Sequence, residues 1–471
     1  MPVRSEALVA RGTAQGRWVL TAAVLGSGMA LLDGTVVNIA LRRIGSDLGA
    51  SLPQLQWMVN AYLLTLASLI LVGGSLGDHF GRRRVFMVGV GWFAVASALC
   101  GLAQSPGQLI GARLLQGVGA ALLTPGSLAM IQGSFRPADR GHVIGQWAGL
   151  GGIAAALGPL LGGWIVDNVS WRWIFGINVP VAVVVLLVAA RHVPESRDPD
   201  AARSFDVGGA ALGALGLAGA TYALIEAGSA PVPHVIAAAL VGVASLVLFV
   251  LFERRHHDPL VPMHLFASRT FSVANALTLL VYGALGAMLF FLVLQLQVVT
   301  GWSPLAAGLS TVPLTVVMLL LSSRAGAFAA RIGPRLPLAV GPALCGVGTL
   351  LLRRIGPDSS YLNDVLPGML VFAFGLVLLV APLTSSVLAA APDRYAGIAS
   401  GVNNAVARTG SLLAVSALPA VVGIGGEDYR RPEVFAAGYA EALLISAVLL
   451  FAGGLVALVG LRSGRPAEAS G

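Results

Sequence analysis

The chain has 471 residues, of which 56% are hydrophobic and 11% charged, and its mean hydropathy is +0.85. Soluble domains carry about 25% charged residues, so this composition excludes a water-soluble globular protein. The formal net charge is +8, but all 29 basic residues are arginines that lie mostly in short segments between apolar runs, which indicates membrane topology rather than nucleic-acid binding.

Apolar runs of 18 residues or more recur along the whole chain and predict an all-α integral membrane protein with fourteen transmembrane helices. The basic N-terminus precedes an apolar run that is too long for a cleavable signal peptide. Both cysteines lie in apolar runs, so we expect no disulfide, metal site or cofactor. The predicted spans are residues 18–40, 54–77, 85–103, 107–132, 143–166, 173–190, 207–227, 233–252, 272–299, 304–323, 336–352, 366–390, 396–422 and 435–461.

The distribution of arginines between alternate loops predicts the orientation of these spans. Seven arginines fall in one set of loops: Arg42, Arg43, Arg172, Arg353, Arg354, Arg430 and Arg431. Twenty fall in the set that includes both termini: Arg4, Arg11, Arg17, Arg82, Arg83, Arg84, Arg136, Arg140, Arg191, Arg197, Arg203, Arg254, Arg255, Arg269, Arg324, Arg331, Arg335, Arg394, Arg462 and Arg465. Because basic loops stay inside, we expect both termini in the cytoplasm. The absence of lysine is typical of a GC-rich bacterial genome and points to a bacterial plasma membrane.

The chain also repeats itself weakly. GSLGDHFGRRRV, after the second span, aligns at an offset of 252 with GAFAARIGPRLP after the tenth, although Asp78 meets Ala330. Two related halves are typical of transporters. We therefore predict a six-helix bundle over residues 1–200, an inserted two-helix hairpin over 201–255, and a second six-helix bundle over 256–471.

Two charged residues are predicted to face each other inside the first bundle. Asp33 lies about seven residues before the outer end of span one, and Arg113 lies about six residues after the outer start of span four. At ~1.5 Å per residue both lie roughly 10 Å below the outer surface. A buried pair would relieve the cost of each charge, and protonation of the acid would loosen it. A proton-linked network and a purely structural pair both fit this arrangement.

Several motifs resemble those of one family. GSLGDHFGRRR resembles the loop signature of the major facilitator superfamily, and LIGARLLQGVGAA resembles its fourth-helix motif with an embedded arginine. GGIAAALGPLLGG resembles the motif of its antiporter branch. LDGTVVNIAL and WRWIFGINVP look like the fourteen-span drug:proton antiporters, and GWSPLAAGLSTVP extends the likeness to the second half. The resemblance implies a major facilitator fold of two six-helix bundles with an inserted hairpin.

The resemblance also assigns roles to residues. It implies that Asp33 and Arg113 take part in proton coupling. It implies a gating latch between the halves at Gly74, Asp78, Gly81, Arg82 and Arg83, where glycines permit close approach and Asp78 can accept backbone N–H groups of a neighbouring helix. It marks Gly158, Pro159, Gly162 and Gly163 as the antiporter motif, a kinked and closely packed helix face.

Other polar residues inside the spans leave alternatives open. Six could line a substrate cavity or make helix-packing hydrogen bonds: Trp57, Asn60, Tyr62, Gln116, Gln295 and Asn403. Glu226 and Glu441 could bind protons or cations, or could be solvated at helix ends. Arg408 has no evident acidic partner, and helix-end carbonyls could satisfy it.

These observations predict a secondary transporter that exports amphipathic small molecules against protons by alternating access. The few acids at depth weakly favour a cationic cargo. A dedicated exporter of one endogenous metabolite, such as an antibiotic or siderophore, is the alternative. The chain contains no phosphate-binding Gly-Lys-Ser/Thr run and no catalytic constellation in its short loops, so neither an ATP-driven pump nor an enzyme is expected. The expected partners are the small-molecule substrate, protons and membrane lipids, with the protein as a monomer.

Overall fold

The computed structural model describes residues 9–197, 206–392 and 395–461. The described chain is almost entirely helical, with one isolated bridge between Val9 and Phe135. The helices are α1 (Ala14–Leu48), α2 (Leu52–Phe80), α3 (Arg82–Leu102), α4 (Pro106–Ser134), α5 (Pro137–Asn168), α6 (Trp173–Gly176), α7 (Asn178–His192), α8 (Val207–Ile225), α9 (Val232–Glu253), α10 (Arg269–Val298), α11 (Pro304–Leu309), α12 (Val312–Ile332), α13 (Arg335–Leu352), α14 (Leu366–Ala389), α15 (Ala396–Val421) and α16 (Pro432–Gly460). Five predicted topology residues and the predicted domain boundary at 200/201 lie outside the described residues: Arg4, Arg203, Arg394, Arg462 and Arg465.

Thirteen helical segments of the described chain are long and apolar enough to cross a membrane. Three of them join two consecutive pieces, namely α6 with α7, α11 with α12, and the π-helical turn Tyr361–Val365 with α14. The remaining predicted span, 396–422, is the 26-residue helix α15. Helix α15 is less apolar than the thirteen segments because it carries two asparagines and Arg408. It nevertheless packs between α2 and α10.

The structure corrects the predicted end of the first span. Helix α1 continues to Leu48 instead of ending near residue 40, so Arg42 and Arg43 lie in its last turns and not in a loop. Asp33 therefore lies 15 residues before the end of α1, which is about 22 Å at the rise of an α-helix. The predicted depth of roughly 10 Å for Asp33 was therefore wrong, because α1 is longer than its apolar run.

Local sequence explains where these helices begin and turn. Ser51 and Gln54 form a capping box at α2, and the Ser105 hydroxyl accepts from the Gln108 amide at α4. Gly81, between α2 and α3, has φ of 113°, and Gly333, between α12 and α13, has φ of 86°. Residues with a side chain rarely adopt such backbone angles, so both turns require glycine. The two glycines are partners in the predicted repeat.

The helices pack in two sets with a hairpin between them. Helices α1–α7, here the N-terminal set, pack mainly on each other, as do α10–α16, the C-terminal set. The hairpin α8–α9 packs on the two sets through α8, which contacts α2 and α15. Helix α9 exposes most of its apolar side chains, as expected of a helix that faces lipid.

The two ends of the molecule differ in charge. We call the end with the α2–α3, α4–α5 and α12–α13 turns the arginine-rich face, and the end with residues 49–51, 299–303 and 422–431 the opposite face. Hydrogen bonds between described residues join the two sets only in the half of the molecule near the opposite face. The Leu52 amide donates to the Gly426 carbonyl at 2.7 Å, and the Tyr429 hydroxyl donates to the Ala50 carbonyl at 2.8 Å. The structure is therefore closed at the opposite face.

Candidate functional site

The predicted charge pair is present. The Arg113 guanidinium on α4 donates from Nη1 to Oδ2 of Asp33 on α1, and both side chains are almost completely buried. Burying one such charge alone is costly, so each residue stabilises the other in this position. The pair ties α1 to α4 inside the N-terminal set.

Gln116 completes the pair. Its Nε2 donates to Oδ1 of Asp33 at 2.8 Å, and its Oε1 accepts from Nη1 of Arg113 at 2.6 Å. Arg113 also donates from Nε to the Met58 carbonyl of α2 at 2.9 Å, and its guanidinium lies 4.4 Å from the ring centroid of Tyr62. Both carboxylate oxygens of Asp33 are thus occupied by donors.

A chain of hydrogen bonds extends the network to α3 and α7. Gln116 Nε2 lies 3.2 Å from the Ser97 hydroxyl, which accepts from Asn178 Nδ2 at 2.9 Å. The Ser97 hydroxyl donates to the Phe175 carbonyl at 3.0 Å. Six helices of the N-terminal set, α1, α2, α3, α4, α6 and α7, are therefore joined by hydrogen bonds that lead to one carboxyl group.

The Asp33 side chain is buried, but it lies beside an open position of α1. Gly34, the next residue of α1, is exposed, and a Cβ built on it would meet no atom within 4 Å. Protonation of Asp33 would remove the charge that compensates Arg113 and would replace an acceptor by a donor. A change in the charge of this pair would therefore change the packing of α1 against α4.

The glycines of the predicted antiporter motif permit close approach of α5 to two helices. A Cβ on Gly158 would lie 2.2 Å from the Thr35 hydroxyl of α1. A Cβ on Gly162 would lie 2.6 Å from a Val36 methyl group of the same helix. A Cβ on Gly163 would lie 2.5 Å from Cα of Leu305, at the start of α11. The Pro159 carbonyl faces Gly308 of α11 in the same way. The motif thus joins the N-terminal set to the C-terminal set.

Among described residues, the hydrogen bonds of Asp78, Arg82 and Arg83 in the predicted gating loop stay within the N-terminal set. Asp78 accepts from Arg82 Nε at 2.9 Å, whereas the backbone N–H of Arg83, the second residue of α3, donates to Glu195 at 3.0 Å. The expectation that Asp78 accepts the backbone N–H groups was wrong, because Glu195 occupies that position. Of the glycines, Gly81 lies against Glu195, but Gly74 makes only an ordinary contact. The role of the loop as a latch between the halves stays a prediction.

The six residues expected around a cavity are not brought together. Asn60 donates to the Ser416 hydroxyl at 2.9 Å, and Gln295 donates to the Ile355 carbonyl at 2.8 Å. Tyr62 and Gln116 are buried in the Asp33 network, and Trp57 donates to Glu226 of the hairpin at 3.0 Å. Asn403 is partly exposed and donates to Thr278 at 2.7 Å. The helix-packing alternative therefore describes this set better, because polar groups inside a bundle pair with each other.

The remaining ionisable candidates lie apart. Glu226 caps the end of α8 and accepts from Trp57 and Ser229, which anchors the hairpin to α2. Glu441 is exposed on α16. No group of three metal-ligating side chains occurs among residues 9–197, 206–392 and 395–461.

Some residues of the site were not predicted from the sequence. Ser97 and Asn178 join the network, and Glu195 binds the start of α3. Asp167 accepts from the Leu305 amide at 3.0 Å and links α5 to α11. Gln116 was predicted to line a cavity or to make a helix-packing hydrogen bond, and its spacing of three residues from Arg113 puts both on one helix face. Ser97 and Glu195 carry no such local signal, since only tertiary packing brings them to their partners.

Comparisons with known proteins agree with this architecture. The family model for the Major Facilitator Superfamily matches residues 23–415. A puromycin resistance protein of Streptomyces alboniger is 38% identical over 433 residues, which cover 89% of this chain and 84% of the relative. A methylenomycin A resistance protein of Bacillus subtilis is 34% identical over 92% of both chains. A tetracenomycin C resistance and export protein of Streptomyces glaucescens is 34% identical over 90% of this chain and 78% of the relative.

Solved structures share the fold at low identity. An auto-inhibited POT family peptide transporter superposes with a TM-score of 0.71 and 15% identity, covering 97% of this chain and 98% of the other. A bacterial homologue of the lysosomal transporter Spinster, in an inward-facing and unoccupied conformation, has a TM-score of 0.66 at 16% identity, with coverage of 95% and 97%. At these identities the likeness concerns the fold alone.

Proposed function

Because the chain belongs to the major facilitator superfamily, we propose that it is a secondary transporter that exports amphipathic small molecules in exchange for protons. The names of its relatives support export of drugs or antibiotics, and this chain covers most of the length of each. The direction of transport and the proton coupling are our own proposal. The transporter would sit in a bacterial plasma membrane and act as a monomer in contact with lipids.

The buried network around Asp33 carries the proposal of proton coupling. It holds a buried acid, and its hydrogen bonds connect that acid to helices α1, α2, α3, α4, α6 and α7. Proton binding to Asp33 would release Arg113 and change the packing of α1, which also lies beside α5 and α10. A proton and a cargo that each favour a different orientation of the transporter would exchange across the membrane.

We propose that the two helix sets are the two bundles that move against each other. The arginine-rich face would be cytoplasmic, because basic segments are retained inside, and both termini would then be cytoplasmic as well. The hydrogen bonds at the opposite face, such as that from Gln297 Nε2 to the Ile39 carbonyl at 2.9 Å, would keep the outer side closed in this state. The gating loop, with Asp78, would form its contacts with the second bundle in the other orientation.

Transport in proteoliposomes tests the proposal. An acidic lumen should drive uptake of a fluorescent cargo, with ethidium and rhodamine B as the two probes, and a protonophore should abolish it. Asp33→Asn should reduce gradient-driven uptake by about tenfold or more but retain exchange of labelled for unlabelled dye without a gradient. The matched control Asp358→Asn removes an exposed acid and should leave both unchanged. Undiminished coupling in folded Asp33→Asn would make that acid structural and direct the same test to Glu441.

A dedicated exporter of a single metabolite is the second candidate. The name of the Streptomyces glaucescens relative refers to export of one antibiotic, tetracenomycin C, which favours it. A panel of unrelated dyes and antibiotics separates the two candidates. Competition by many members of the panel supports the broad exporter, whereas inhibition by one chemical type supports the dedicated one.

A further inference from the structure

Arg408 is a cation at the middle of α15 for which the described chain provides no partner. It is partly buried and makes no hydrogen bond or ion pair with any described residue. The alternative raised by the sequence, that helix-end carbonyls satisfy it, does not hold, because Arg408 lies about 18 Å from either end of the helix. A charge at this depth in a membrane protein usually faces a water-filled cavity and has a function.

The surrounding helices cannot neutralise Arg408. Helices α10 to α15 contain neither aspartate nor glutamate. The buried acid of the N-terminal set, Asp33, already accepts from Arg113 and Gln116. The positive charge of Arg408 is therefore uncompensated by the helices that enclose it.

Arg408 lies at the boundary between the two helix sets. Helix α15, which carries it, packs on α2 of the N-terminal set and on α10 of the C-terminal set. One turn earlier on α15, Asn404 is exposed and uses its Nδ2 to donate to the Ser400 carbonyl at 3.1 Å. Residues four apart share a helix face, so Asn404 and Arg408 present polar groups to the same interior space.

Tyr282 adds a third polar group. It lies at the middle of α10, and its hydroxyl makes no hydrogen bond with a described residue, although its backbone carbonyl accepts from Ser411 at 2.8 Å. A guanidinium and a phenol are both donors, and a guanidinium binds carboxylates strongly. Ser411 follows Arg408 by three residues, so Tyr282 lies beside the segment of α15 that carries Arg408 and Asn404.

We propose that Arg408, with Tyr282 and Asn404, binds an anionic group, foremost a carboxylate, of the cargo. The inference rests on the proposed transport function and specifies its substrate class as amphipathic molecules with a negative group. It replaces the weak preference for cationic cargo that the sequence suggested. Export of a carboxylate would also compensate the positive charge of Arg408 during transport.

A pair of dyes that differ only at a carboxylate tests this proposal. Rhodamine B carries a free carboxylate, and in its ethyl ester the same ring system lacks that negative charge. Binding to the full-length protein in lipid nanodiscs is measured by fluorescence anisotropy at neutral pH. We expect the wild type to bind rhodamine B at least about tenfold more tightly than the ester, as for a charge-assisted contact.

Variants of Arg408 and Tyr282 give the second half of the test. Arg408→Gln should weaken rhodamine B binding by about tenfold and leave the ester unchanged, whereas Arg408→Lys should keep part of the preference. Tyr282→Phe removes only a hydroxyl group, preserves packing and should lower rhodamine B affinity by a few-fold. The control Arg324→Gln removes an exposed arginine of the same helix set and should keep the preference of the wild type.

The outcomes separate this inference from the transport function. Rhodamine B binding no tighter than that of the ester, including no binding of either dye, would overturn the proposal even if ethidium uptake follows the proton gradient. An equal loss for both dyes in Arg408→Gln would also overturn it, since that result indicates a structural role. A carboxylate preference that depends on Arg408, without any gradient-driven uptake, would support the binding site and contradict the proposed exchange.

Discussion

Gly163 of α5 lies so close to Leu305 of α11 that a methyl group on the glycine would be 2.5 Å from the Leu305 Cα. This contact joins the two helix sets near the opposite face, where the Asp167 carboxylate also accepts the Leu305 amide. The glycine motif therefore serves the closure of one side of the molecule as well as the packing of α5 on α1.

Gly163→Ala should open the opposite face, because backbone atoms of α11 cannot move aside as a flexible side chain can. We expect the distance between spin labels placed on the loops at residues 49–51 and 299–303 to increase in the variant. The matched control is Gly152→Ala on the same helix, where a Cβ would meet nothing within 4 Å. An unchanged distance distribution in Gly163→Ala would show that the contact does not control closure.

Removing one partner of the Asp33–Arg113 pair should cost more stability than removing both. Arg113→Gln leaves a buried carboxylate uncompensated and should lower the free energy of unfolding by about 3–5 kcal/mol. The double variant Asp33→Asn with Arg113→Gln should recover a large part of that loss. Denaturant unfolding in detergent gives the four values of the cycle. Additive losses would contradict direct coupling of the two side chains.

Glu195 should matter more for stability than Asp78, although only Asp78 belongs to the predicted loop motif. Glu195 accepts the Arg83 backbone N–H and lies 3.7 Å from Nε of both Arg83 and Arg84. Glu195→Gln should cost about 1–3 kcal/mol, whereas Asp78→Asn should cost about 0–1 kcal/mol because its pair with Arg82 is partly exposed. Thermal unfolding of both variants provides the comparison, and a larger effect of Asp78→Asn would refute it.

The loop that closes the opposite face should lose stability in acid. The Gly425 backbone N–H, followed by Arg431, holds the pKa of Asp428 below its usual value of 3.8. A carboxyl with a lowered pKa stabilises the fold above its unfolded pKa, and this contribution disappears as the pH falls through the folded pKa. The difference in melting temperature between wild type and Asp428→Asn should be constant above about pH 5 and shrink below about pH 4. Asp358→Asn is the control, and a difference that is independent of pH would rule out this account.

Glu226 should prove to be an anchor of the hairpin instead of a proton carrier. An amide oxygen can still accept from the Trp57 indole, so Glu226→Gln should retain gradient-driven transport within about twofold. Glu226→Ala removes the acceptor and should cost about 1 kcal/mol of stability. Transport measured in the proteoliposome assay, together with melting temperatures, tests both statements. A strong loss of coupling in Glu226→Gln would return this acid to the proton pathway.

Much of the architecture was predictable from the sequence because it depends on composition and local pattern. Long apolar runs predict helices, since backbone groups in lipid must pair within their own segment. The alternation of arginine-rich and arginine-poor loops predicts antiparallel neighbours. The pairing of Asp33 with Arg113 was also predictable, because two opposite charges inside neighbouring apolar helices have few other ways to be stabilised.

What only the tertiary structure decided is which polar groups find each other. Asn60 and Gln295 look like cavity residues in the sequence, but Asn60 pairs with Ser416 of α15 and Gln295 with Ile355 in the connection after α13. No local sequence pattern predicts either partner. Glu195 replaces Asp78 at the start of α3 for the same reason. Arg408 shows the converse, since the sequence reveals a buried cation and only the packing shows that the enclosing helices leave it unpaired. The hydropathy of the sequence thus determined the helices, because backbone groups in lipid must be paired. The site was decided by contacts between distant residues, which depend on how each helix is rotated and shifted against its neighbours.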